Sequence, residues 1–486
     1  LSFRAALRAD GERVARAPTH SRDARKALGA FYTPAPIVRD VLDRTLGPVI
    51  GRTLTEPNPV GALLALRVLD PACGDGAFLA PAAERIIDAL ARVGRPGMAR
   101  AVVERCVVGV DVDPLAADAC AEALRELAGG AARVRIIVAD ALREGPALFG
   151  DERFDAVVGN PPYLNQLERT TATPRDAARA IRAWSGGLVK GYADAAAAFW
   201  LLACRTLREG GRCGLVLPRS ILSTRDAAPV RREIAGAFTL ESVWFDDRPM
   251  FDACVRVCAP VVARGEAPSK VVRTRGELFE PLPDAAPPAP PTPPAPPHAE
   301  SWSHLLPEAS EAPAVVVRTG RTLADIAEAT ADFRDQYYGL RGCIVEHDEA
   351  ARRAPRDDLD DLEDRFPRLI TSGLIDRDAC LWGVRPARIL KRAWWAPRLD
   401  RVAFEAGTDL APWLRARLTP KVLLATQTRV LEPLLDERGS LVPVVPVITI
   451  TPKRGVHDPA DTLRVIHTSL RSASATAAAL RLAAGA

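Results

Sequence analysis

Short apolar runs rich in β-branched residues alternate with amphipathic stretches along the first half of this 486-residue chain. Strands that alternate with helices join through right-handed crossovers, which place the strands side by side. We therefore expect an α/β fold, a doubly wound and mostly parallel seven-stranded sheet. The last two strands should form a hairpin, with one antiparallel strand at or near the edge. The predicted strands are Leu66–Leu69, Val107–Val110, Arg135–Val138, Ala156–Val158, Gly214–Leu217, Leu240–Phe245 and Arg256–Val262.

Helical patterns fill the intervals between these strands. Apolar residues at helical spacing predict helices over Ala77–Arg92 and Leu115–Ala128. A longer pattern runs from Tyr192 to Arg208, and we expect that helix to stop at Gly210–Gly211.

A proline-rich run interrupts the pattern. Ten of the seventeen residues from Pro281 to Pro297 are proline. Such a run has few amide donors, so it should form an extended linker outside any sheet or helix. We expect three regions: residues 1–265 with the parallel sheet, a linker over 266–300, and a second, mixed α/β domain over 301–486.

Charge is balanced overall but uneven locally. The chain has 65 basic and 61 acidic residues, so a nucleic-acid surface would need local segregation of charge. Leu381–Lys421 holds nine basic and three acidic residues, interleaved with tryptophans, whereas Glu346–Asp364 is acidic. Arginine and tryptophan together suit phosphate contact and base stacking. The alternative is a solvated face with core tryptophans.

Cysteine usage and hydropathy constrain the compartment. The nine cysteines include no C-x-x-C pair, and the six histidines are scattered, so we expect neither a disulfide framework nor a metal site. Residues 1–25 lack an apolar signal region, and the most apolar stretch, Ala195–Cys204, is half as long as a bilayer span. These features predict a protein of a reducing cytoplasm with no membrane partner.

The segment Val68–Gly76 runs from an apolar strand into a tight glycine turn that carries Asp70, Pro71, Ala72, Cys73, Gly74 and Gly76. Glycine lets the backbone approach a ligand at the carboxyl end of a strand. The leading acid, Asp70, would repel a diphosphate and attract a cation.

Two further acids follow the next two strands. Asp111 ends the second strand and could accept hydrogen bonds from both hydroxyls of a ribose. Asp140 ends the third strand and could accept one from the amino group of adenine. Either acid alone could be a helix N-cap. A cationic methionine moiety, a ribose and an adenine, in that order, describe S-adenosylmethionine.

The fourth strand ends in Asn160, Pro161, Pro162 and Tyr163. The two prolines fix the backbone, so the Asn160 side chain and the Pro161 carbonyl form a rigid pair of acceptors. Gripping the hydrogens of an exocyclic amino group localises its lone pair for attack on a sulfonium methyl group. Tyr163 would stack on the planar base.

This constellation resembles the amino-directed DNA methyltransferases, specifically the adenine-specific enzymes of restriction-modification systems. Phe31-Tyr32-Thr33-Pro34 is similar to their N-terminal cofactor motif, and the motif order is that of the gamma class. Leu369–Ile375 and Pro420–Arg429 are similar to segments of their C-terminal DNA-recognition domain.

The resemblance implies a class I S-adenosylmethionine-dependent methyltransferase fold, with double-stranded DNA as partner and a flipped adenine as target. It gives Phe31 and the segment Asp70–Gly76 cofactor-binding roles, Thr33 the carboxylate end of the cofactor, Asp111 its ribose, Asp140 its adenine, and Pro162 a packing contact with it. Phe251 would be a second aromatic against the base. Residues 301–486 would recognise DNA, and we expect Arg385, Arg388, Lys391 and Arg392 to bind it.

Two alternatives remain open. The Asn-Pro-Pro-Tyr motif also serves methyltransferases that act on ribosomal RNA or on protein glutamine, although those chains are usually shorter. A non-catalytic DNA-binding subunit of a defence complex would keep the fold alone. No lysine has an acid two positions before it, as the usual nuclease core requires, so cleavage would belong to a separate endonuclease.

Overall fold

The computed structural model describes residues 33–163, 175–189, 195–246, 256–265, 269–288, 301–307, 322–331, 334–353, 359–377, 379–426, 428 and 430–483. These residues divide into two compact units: the first runs to position 311 and also includes the residues from 482 onward, and the second covers positions 312–481.

A ten-stranded sheet forms the centre of the first unit. Its strands are β1 (Val68–Asp70), β2 (Val107–Asp111), β3 (Arg135–Val138), β4 (Phe154–Gly159), β5 (Leu207–Leu215), β6 (Leu217–Pro218), β7 (Thr239–Phe245), β8 (Val257–Ala263), β9 (Val271–Arg275) and β10 (Glu280–Ala285). Their order is β10-β9-β7-β8-β5-β4-β1-β2-β3, and the short β6 pairs with β8. Strands β3, β2, β1, β4 and β5 are mutually parallel, whereas β8 is antiparallel to both β5 and β7.

Helices cover both faces of this sheet. They are α1 (Ala35–Thr53), α2 (Pro59–Ala65), α3 (Leu79–Arg92), α4 (Ala99–Arg105), α5 (Pro114–Leu127), α6 (Ala141–Glu144), α7 (Arg175–Trp184), α8 (Ala195–Arg205) and α9 (Ala228–Ala237), with 3-10 turns at Gly145–Phe149, Arg219–Leu222 and Ser303–Leu305. Helix α3 shows how the sequence directs burial: its apolar residues recur at helical spacing, and Leu79, Ala82, Ile86 and Leu90 are all fully buried.

The expected doubly wound, mostly parallel sheet is confirmed, and each of the seven predicted strands overlaps an observed one. The predicted strand number is wrong, because β6, β9 and β10 extend the sheet to ten strands. The last two predicted strands, β7 and β8, do pair antiparallel, but β8 lies between β5 and β7, with β9 and β10 farther out, rather than at or near the edge. Strand β10 has no apolar periodicity, since its residues are exposed or half-buried, and pattern analysis therefore missed it.

The helix expected over Tyr192–Arg208 ends at Arg205, and the two glycines lie inside β5 instead of beyond it. Gly210 has φ +74°, and the register of β5 with β4 shifts at this position. A Cβ at Gly211 would lie 2.8 Å from the Phe154 carbonyl oxygen. The glycines therefore mark a bulge that requires close backbone approach, not a helix end.

The proline run was expected to stay outside the sheet, and its first residues contradict that expectation. Pro281 and Pro283 lie in β10, which pairs antiparallel with β9. Proline is tolerated there because β10 is an edge strand and needs donors on one side only. Trp302, Leu305 and Leu306 also join the core of the first unit, so this unit extends beyond the expected limit at residue 265. Residues 289–300 lie outside the described residues.

The second unit is mixed α and β, as expected. It contains two four-stranded sheets, in the orders β11-β20-β17-β18 and β12-β16-β13-β19, and the hairpin β14-β15. The strands are β11 (Ala327–Ala331), β12 (Ile344–Glu346), β13 (Arg368–Ile370), β14 (Ala387–Ile389), β15 (Arg392–Trp394), β16 (Pro397–Leu399), β17 (Lys421–Leu424), β18 (Pro433–Asp436), β19 (Leu441–Pro443) and β20 (Ile448–Pro452).

The helices of this unit are short until the last two. They are α10 (Leu323–Ile326), α11 (Arg334–Gly339), α12 (His347–Arg353), α13 (Leu359–Arg365), α14 (Arg401–Gly407), α15 (Ala411–Arg417), α16 (Pro459–Leu470) and α17 (Ala473–Ala483), with a 3-10 turn at Ser372–Leu374. Across the described residues of both units, no helix has the length and hydropathy that a membrane crossing requires.

Candidate active site

The carboxyl ends of β1 and β4 meet at one edge of the first sheet. Asp70 closes β1 and is 1% exposed. Gly159 closes β4 with φ +153°, and a Cβ there would lie 2.5 Å from Asp70 Oδ1. The backbone that leads into Asn160 therefore lies directly against the Asp70 carboxyl group. Only glycine allows this approach, and sequence reasoning had not singled out Gly159.

The glycine turn after β1 is joined to the end of β2. Gly74, at φ +54°, donates its backbone N–H to Asp111 Oδ2 at 2.8 Å. Asp111 Oδ1 accepts a second bond from the Asp113 N–H at 2.9 Å. Gly76, at φ +92°, packs against Cys120, whose Sγ would lie 3.1 Å from a Cβ. Asp111 thus fixes the turn in addition to any contact it makes with a ligand.

Burial shifts the titration of both acids. It raises the pKa of Asp70 to about 8, with smaller contributions from Asp111 and Asp75, while the Ala72 N–H hydrogen bond at 3.0 Å opposes the shift. Burial also raises the pKa of Asp111, against the lowering effect of the Asp113 and Gly74 N–H groups. A buried carboxyl of this kind favours a cationic ligand, which would restore its ionised form.

The residues between Asp70 and Gly74 are mostly buried in the fold. Pro71 and Cys73 are buried and Ala72 is half-buried. A hydrogen bond with the neighbouring Cys120 thiol, together with burial, raises the pKa of Cys73, so the Cys73 thiol stays protonated and packs as an apolar group.

Asp140 follows β3 and caps α6. Its Oδ1 accepts from the backbone N–H groups of Leu142 and Arg143, both at 3.1 Å. The N-cap alternative raised for this residue is therefore realised. The carboxylate keeps further acceptor capacity, because an ionised carboxylate can accept about four hydrogen bonds.

Asn160 is held from both ends of its amide. Its Nδ2 donates to Thr33 Oγ1 at 2.9 Å, and its Oδ1 accepts from the Tyr163 hydroxyl at 2.5 Å. The Tyr163 hydroxyl also lies 3.1 Å from the Val216 carbonyl oxygen, after β5. Pro161 is buried and Pro162 half-buried. The predicted catalytic residues therefore converge, and Thr33 joins them through a hydrogen bond that the sequence did not indicate.

Two predicted site residues, Phe31 and Phe251, lie outside the described residues.

The four predicted DNA-binding residues lie in the second unit, along the hairpin β14-β15. Arg385, Arg388, Lys391 and Arg392 are all exposed. Within the part of the chain that the structure describes, none of the four has an ion-pair partner, whereas the exposed Arg464 pairs with Glu437 at 2.9 Å. The hairpin is therefore an uncompensated positive surface.

The two C-terminal motifs meet beside this hairpin. Thr426, in the Pro420–Arg429 segment, donates its backbone N–H to Ser372 Oγ at 3.2 Å, and Ser372 lies in the predicted Leu369–Ile375 segment. The Thr426 hydroxyl donates to the Pro446 carbonyl at 3.1 Å. An open groove of about 400 Å³ adjoins this contact and is lined by Tyr337, Thr371, Ser372, Gly373, Arg385, Pro386, Ala387, Arg388, Val445 and Pro446. Its charged lining residues are both arginine.

No group of three or more His, Cys, Asp or Glu side chains is arranged to hold a metal ion within the described ranges.

Comparison with known proteins gives a consistent picture. The model of a family described as N-6 DNA Methylase matches residues 19–266, about half of the chain. The Type II methyltransferase M.TthHB8I of Thermus thermophilus is 31% identical over 251 residues, 49% of this chain and 50% of that protein. The Type II methyltransferase M.BstVI of Geobacillus stearothermophilus is 34% identical over 149 residues, 28% of this chain and 25% of that protein. The chain thus spans half or less of the length of these relatives.

One solved structure resembles the chain in both units. The Type IIL restriction-modification enzyme MmeI, solved in complex with DNA, has a TM-score of 0.58 and covers 93% of this chain and 65% of its own. At 13% identity the likeness concerns the fold alone.

Proposed function

The chain belongs to the N-6 DNA methylase family, and from that premise we propose that it transfers a methyl group from S-adenosylmethionine to the exocyclic amino group of a flipped adenine in DNA. The observation that carries the proposal is the contact between the ends of β1 and β4. Gly159, the residue before Asn160, lies against the buried Asp70 carboxyl, so the segment that carries the amino-group acceptor starts beside a site suited to a cation.

The residues around Asp70 fit this cofactor. The family supports S-adenosylmethionine, which supplies an electrophilic methyl group on a cationic sulfur. Asp70 and the turn to Gly76 would hold the methionine part, Asp111 the ribose, and Asp140 the adenine. Gly74 carries no side chain, and nothing lies within 4 Å of where its Cβ would be, so the turn leaves open space beside its backbone at this position. The raised pKa of Asp70 fits a carboxyl whose natural counter-charge is the ligand.

Asn160 and Pro161 would position the amino group of the base. Asn160 Oδ1 has two lone pairs, so it can accept from the base while the Tyr163 hydroxyl keeps its bond. Thr33 Oγ1 holds the Nδ2 end of the amide and keeps Oδ1 as the acceptor. Two acceptors on one amino group draw its lone pair out of conjugation with the ring, which favours in-line transfer of the methyl group.

The acceptor base must leave the duplex, because an exocyclic amino group within stacked pairs cannot reach the Asn160 side chain. Tyr163 would stack on the extruded ring, and Phe251 remains a proposed second contact. Arg385, Arg388, Lys391 and Arg392 would bind phosphates, since they are exposed and have no acidic partner among the described residues.

We further propose a role in DNA modification, with a separate endonuclease as functional partner, in the cytoplasm where host DNA lies. The RNA, glutamine and non-catalytic alternatives have less support. The basic hairpin provides a polyanion-binding surface that a glutamine methyltransferase would not need. Hydrogen bonds hold both ends of the Asn160 amide in place, which supports a catalytic role over a non-catalytic one.

A competition assay tests the acceptor. The purified chain, supplied with methyl-labelled S-adenosylmethionine, is offered duplex DNA, structured RNA and protein extract in one reaction. Label in DNA supports the proposal, whereas label confined to RNA or protein rejects it.

A further inference from the structure

Two large apolar side chains are exposed beside the basic hairpin. Val384 is 71% exposed and Trp395 is 60% exposed. The Gly383 N–H donates to the Trp395 carbonyl at 3.2 Å, which brings the two segments side by side. Of the tryptophans in Leu381–Lys421, Trp395 is the exposed one, because Trp394 is 8% exposed and the others pack against the core of the second unit.

The backbone under Trp395 is fixed. Glu346 Oε1 and Oε2 accept hydrogen bonds from the N–H groups of Trp395 and Ala396, both at 2.9 Å. An indole that faces solvent from an anchored backbone loses less conformational entropy on binding than one on a free loop. The anchor therefore favours a recognition role over chance exposure.

Trp395 follows a hairpin strand whose exposed face includes Arg388, an arginine with no ion-pair partner among the described residues. In the hairpin, Arg388 lies opposite Ala393, and both are exposed, whereas Ile389 and Trp394 are buried. Trp395 directly follows β15 and is exposed, as Arg388 and Ala393 are, so it lies at the end of the hairpin strand that carries this exposed face. An indole beside a guanidinium suits a ligand that combines negative charge with planar apolar groups.

The hairpin tip is also held in one conformation. Leu390 and Lys391 have φ values of 51° and 68°, in the left-handed region that a two-residue hairpin turn requires. The Leu390 N–H donates to the Tyr337 hydroxyl at 2.9 Å, which stabilises this turn. Lys391 is thus presented to solvent at a defined point.

We propose that Trp395, with Val384 beside it, packs against nucleobases of the bound DNA as an apolar wedge, while Arg388 and Lys391 hold adjacent phosphates. This inference rests on the proposed function. Charge complementarity selects DNA as the occupant, because a nucleic acid offers phosphates and base faces within a few ångströms of each other. Apolar side chains inserted at base steps, and aromatic side chains stacked on bases, are established ways of binding DNA.

The test compares full-length variants in duplex binding at several salt concentrations. Loss of one base-stacking contact corresponds to roughly tenfold weaker binding for Trp395→Ala. The slope of log affinity against log salt should stay unchanged, because no phosphate contact is lost. Trp395→Phe should recover most of the affinity, and Val384→Ser should weaken it less than Trp395→Ala. Val465→Ala, which alters an exposed valine on α16, is the matched control and should bind like the unmodified chain.

The outcomes separate the two proposals. If the unmodified chain does not methylate DNA, the proposed function fails. If it methylates DNA while Trp395→Ala binds the duplex within twofold of the unmodified chain, the wedge alone is rejected. A Trp395→Ala variant that binds DNA normally but no longer associates with another protein chain also rejects the wedge. Thermal unfolding of each variant, together with the Trp395→Phe result, distinguishes loss of the contact from loss of the fold.

Discussion

The Asn160 side chain donates a hydrogen bond of 2.9 Å from Nδ2 to Thr33 Oγ1, which joins the residue after β4 to the residue two positions before α1, across 127 positions of sequence. Because Nδ2 is hydrogen-bonded to Thr33, the Asn160 amide cannot flip to exchange the positions of its nitrogen and oxygen. Asn160 Oδ1 therefore stays available as the acceptor, and Thr33, which is 4% exposed, acts as a positioning residue.

Replacing Thr33 by valine tests this role. Thr33→Val leaves the Asn160 Nδ2 without its acceptor, and we expect kcat to fall on the order of tenfold while KM for DNA changes little. Thr33→Ser keeps the hydroxyl and should restore turnover. If calorimetry instead shows a large loss of cofactor affinity with normal kcat at saturation, Thr33 contacts the cofactor and does not position Asn160.

Substitutions at the ends of β4 and β2 should affect different steps, the methyl transfer and cofactor binding respectively. Asn160→Ala removes an acceptor used in the transition state, so kcat should fall on the order of 100-fold or more with cofactor affinity little changed. Asp111→Ala should weaken cofactor binding first, because it removes a proposed ribose contact and loosens the Gly74 turn. Calorimetry and single-turnover kinetics check both variants. An Asn160→Ala protein that cannot bind cofactor would mean that these roles are misassigned.

Asp70 should make cofactor affinity depend on pH. Burial raises the pKa of its carboxyl to about 8 in the free protein, so a cationic ligand must bind the ionised minority below that pH. Affinity should therefore rise from pH 6 to about pH 8 and then level off, with proton release on binding. Calorimetry in buffers of different ionisation enthalpy measures this release, and a pH-independent affinity would rule out Asp70 as the counter-charge.

The same carboxyl should influence the stability of the free protein. The pKa of Asp70 in the folded state lies above its ordinary value of 3.8. The carboxyl therefore contributes fully to the free energy of unfolding below pH 3.8, and this contribution is lost as the pH rises to about 8. Asp70→Asn keeps the acceptor for the Ala72 N–H and should unfold at a higher temperature than the unmodified chain at pH 8.5, yet bind cofactor more weakly. Thermal unfolding at pH 5 and pH 8.5 provides the comparison; equal shifts at both values would contradict this account.

Removing the basic residues of the hairpin should flatten the salt dependence of DNA binding. The variant combines Arg385→Ala, Arg388→Ala and Arg392→Ala with Lys391→Asn, because asparagine tolerates the positive φ at that position. Four lost phosphate contacts would reduce the log–log slope by about 3.6, with cofactor binding intact. Arg464→Ala, whose arginine already pairs with Glu437, is the control and should change the slope little. An unchanged slope in the fourfold variant would mean that another surface of the chain binds the DNA phosphates.

Truncation should separate recognition from chemistry, provided the cut respects the fold. A cut at Pro281, the start of the proline run, would remove most of β10 and the core residues Trp302, Leu305 and Leu306. A cut after residue 311 keeps the long N-terminal part of the first unit and removes only its short piece from position 482 onward. This shorter chain should bind cofactor but lose specific methylation, and equal efficiency at the same DNA site would place recognition in the first unit.

The sequence predicted the parallel part of the sheet because β1, β2 and β4 are mostly buried and contain β-branched residues, and because amphipathic helices separate the strands. Asp70, Asp111 and Asn160 could be placed at the sheet edge because parallel strands end together. The strand β10 could not be predicted, since its exposed residues have no periodicity and its prolines argue against a strand.

Long-range contacts were also beyond pattern analysis. The Thr33 to Asn160 bond and the approach of Gly159 to Asp70 depend on how elements pack, and no local spacing encodes either one. The same holds for the tryptophans of Leu381–Lys421: Trp394 is buried, Trp382 and Trp413 are half-buried, and Trp395 is exposed. Burial in the folded unit, not residue type, decides which of them can reach a partner.

The most direct measurement is mass spectrometry of nucleosides from plasmid DNA, isolated from a host without adenine methylation of its own that expresses either the unmodified chain or Asn160→Ala. We predict N6-methyladenine at one recurrent sequence with the unmodified chain, and its loss or near loss with Asn160→Ala. Methylated cytosine in place of adenine, or equal N6-methyladenine from both proteins, would contradict the assignment of Asn160 as the acceptor that directs adenine methylation.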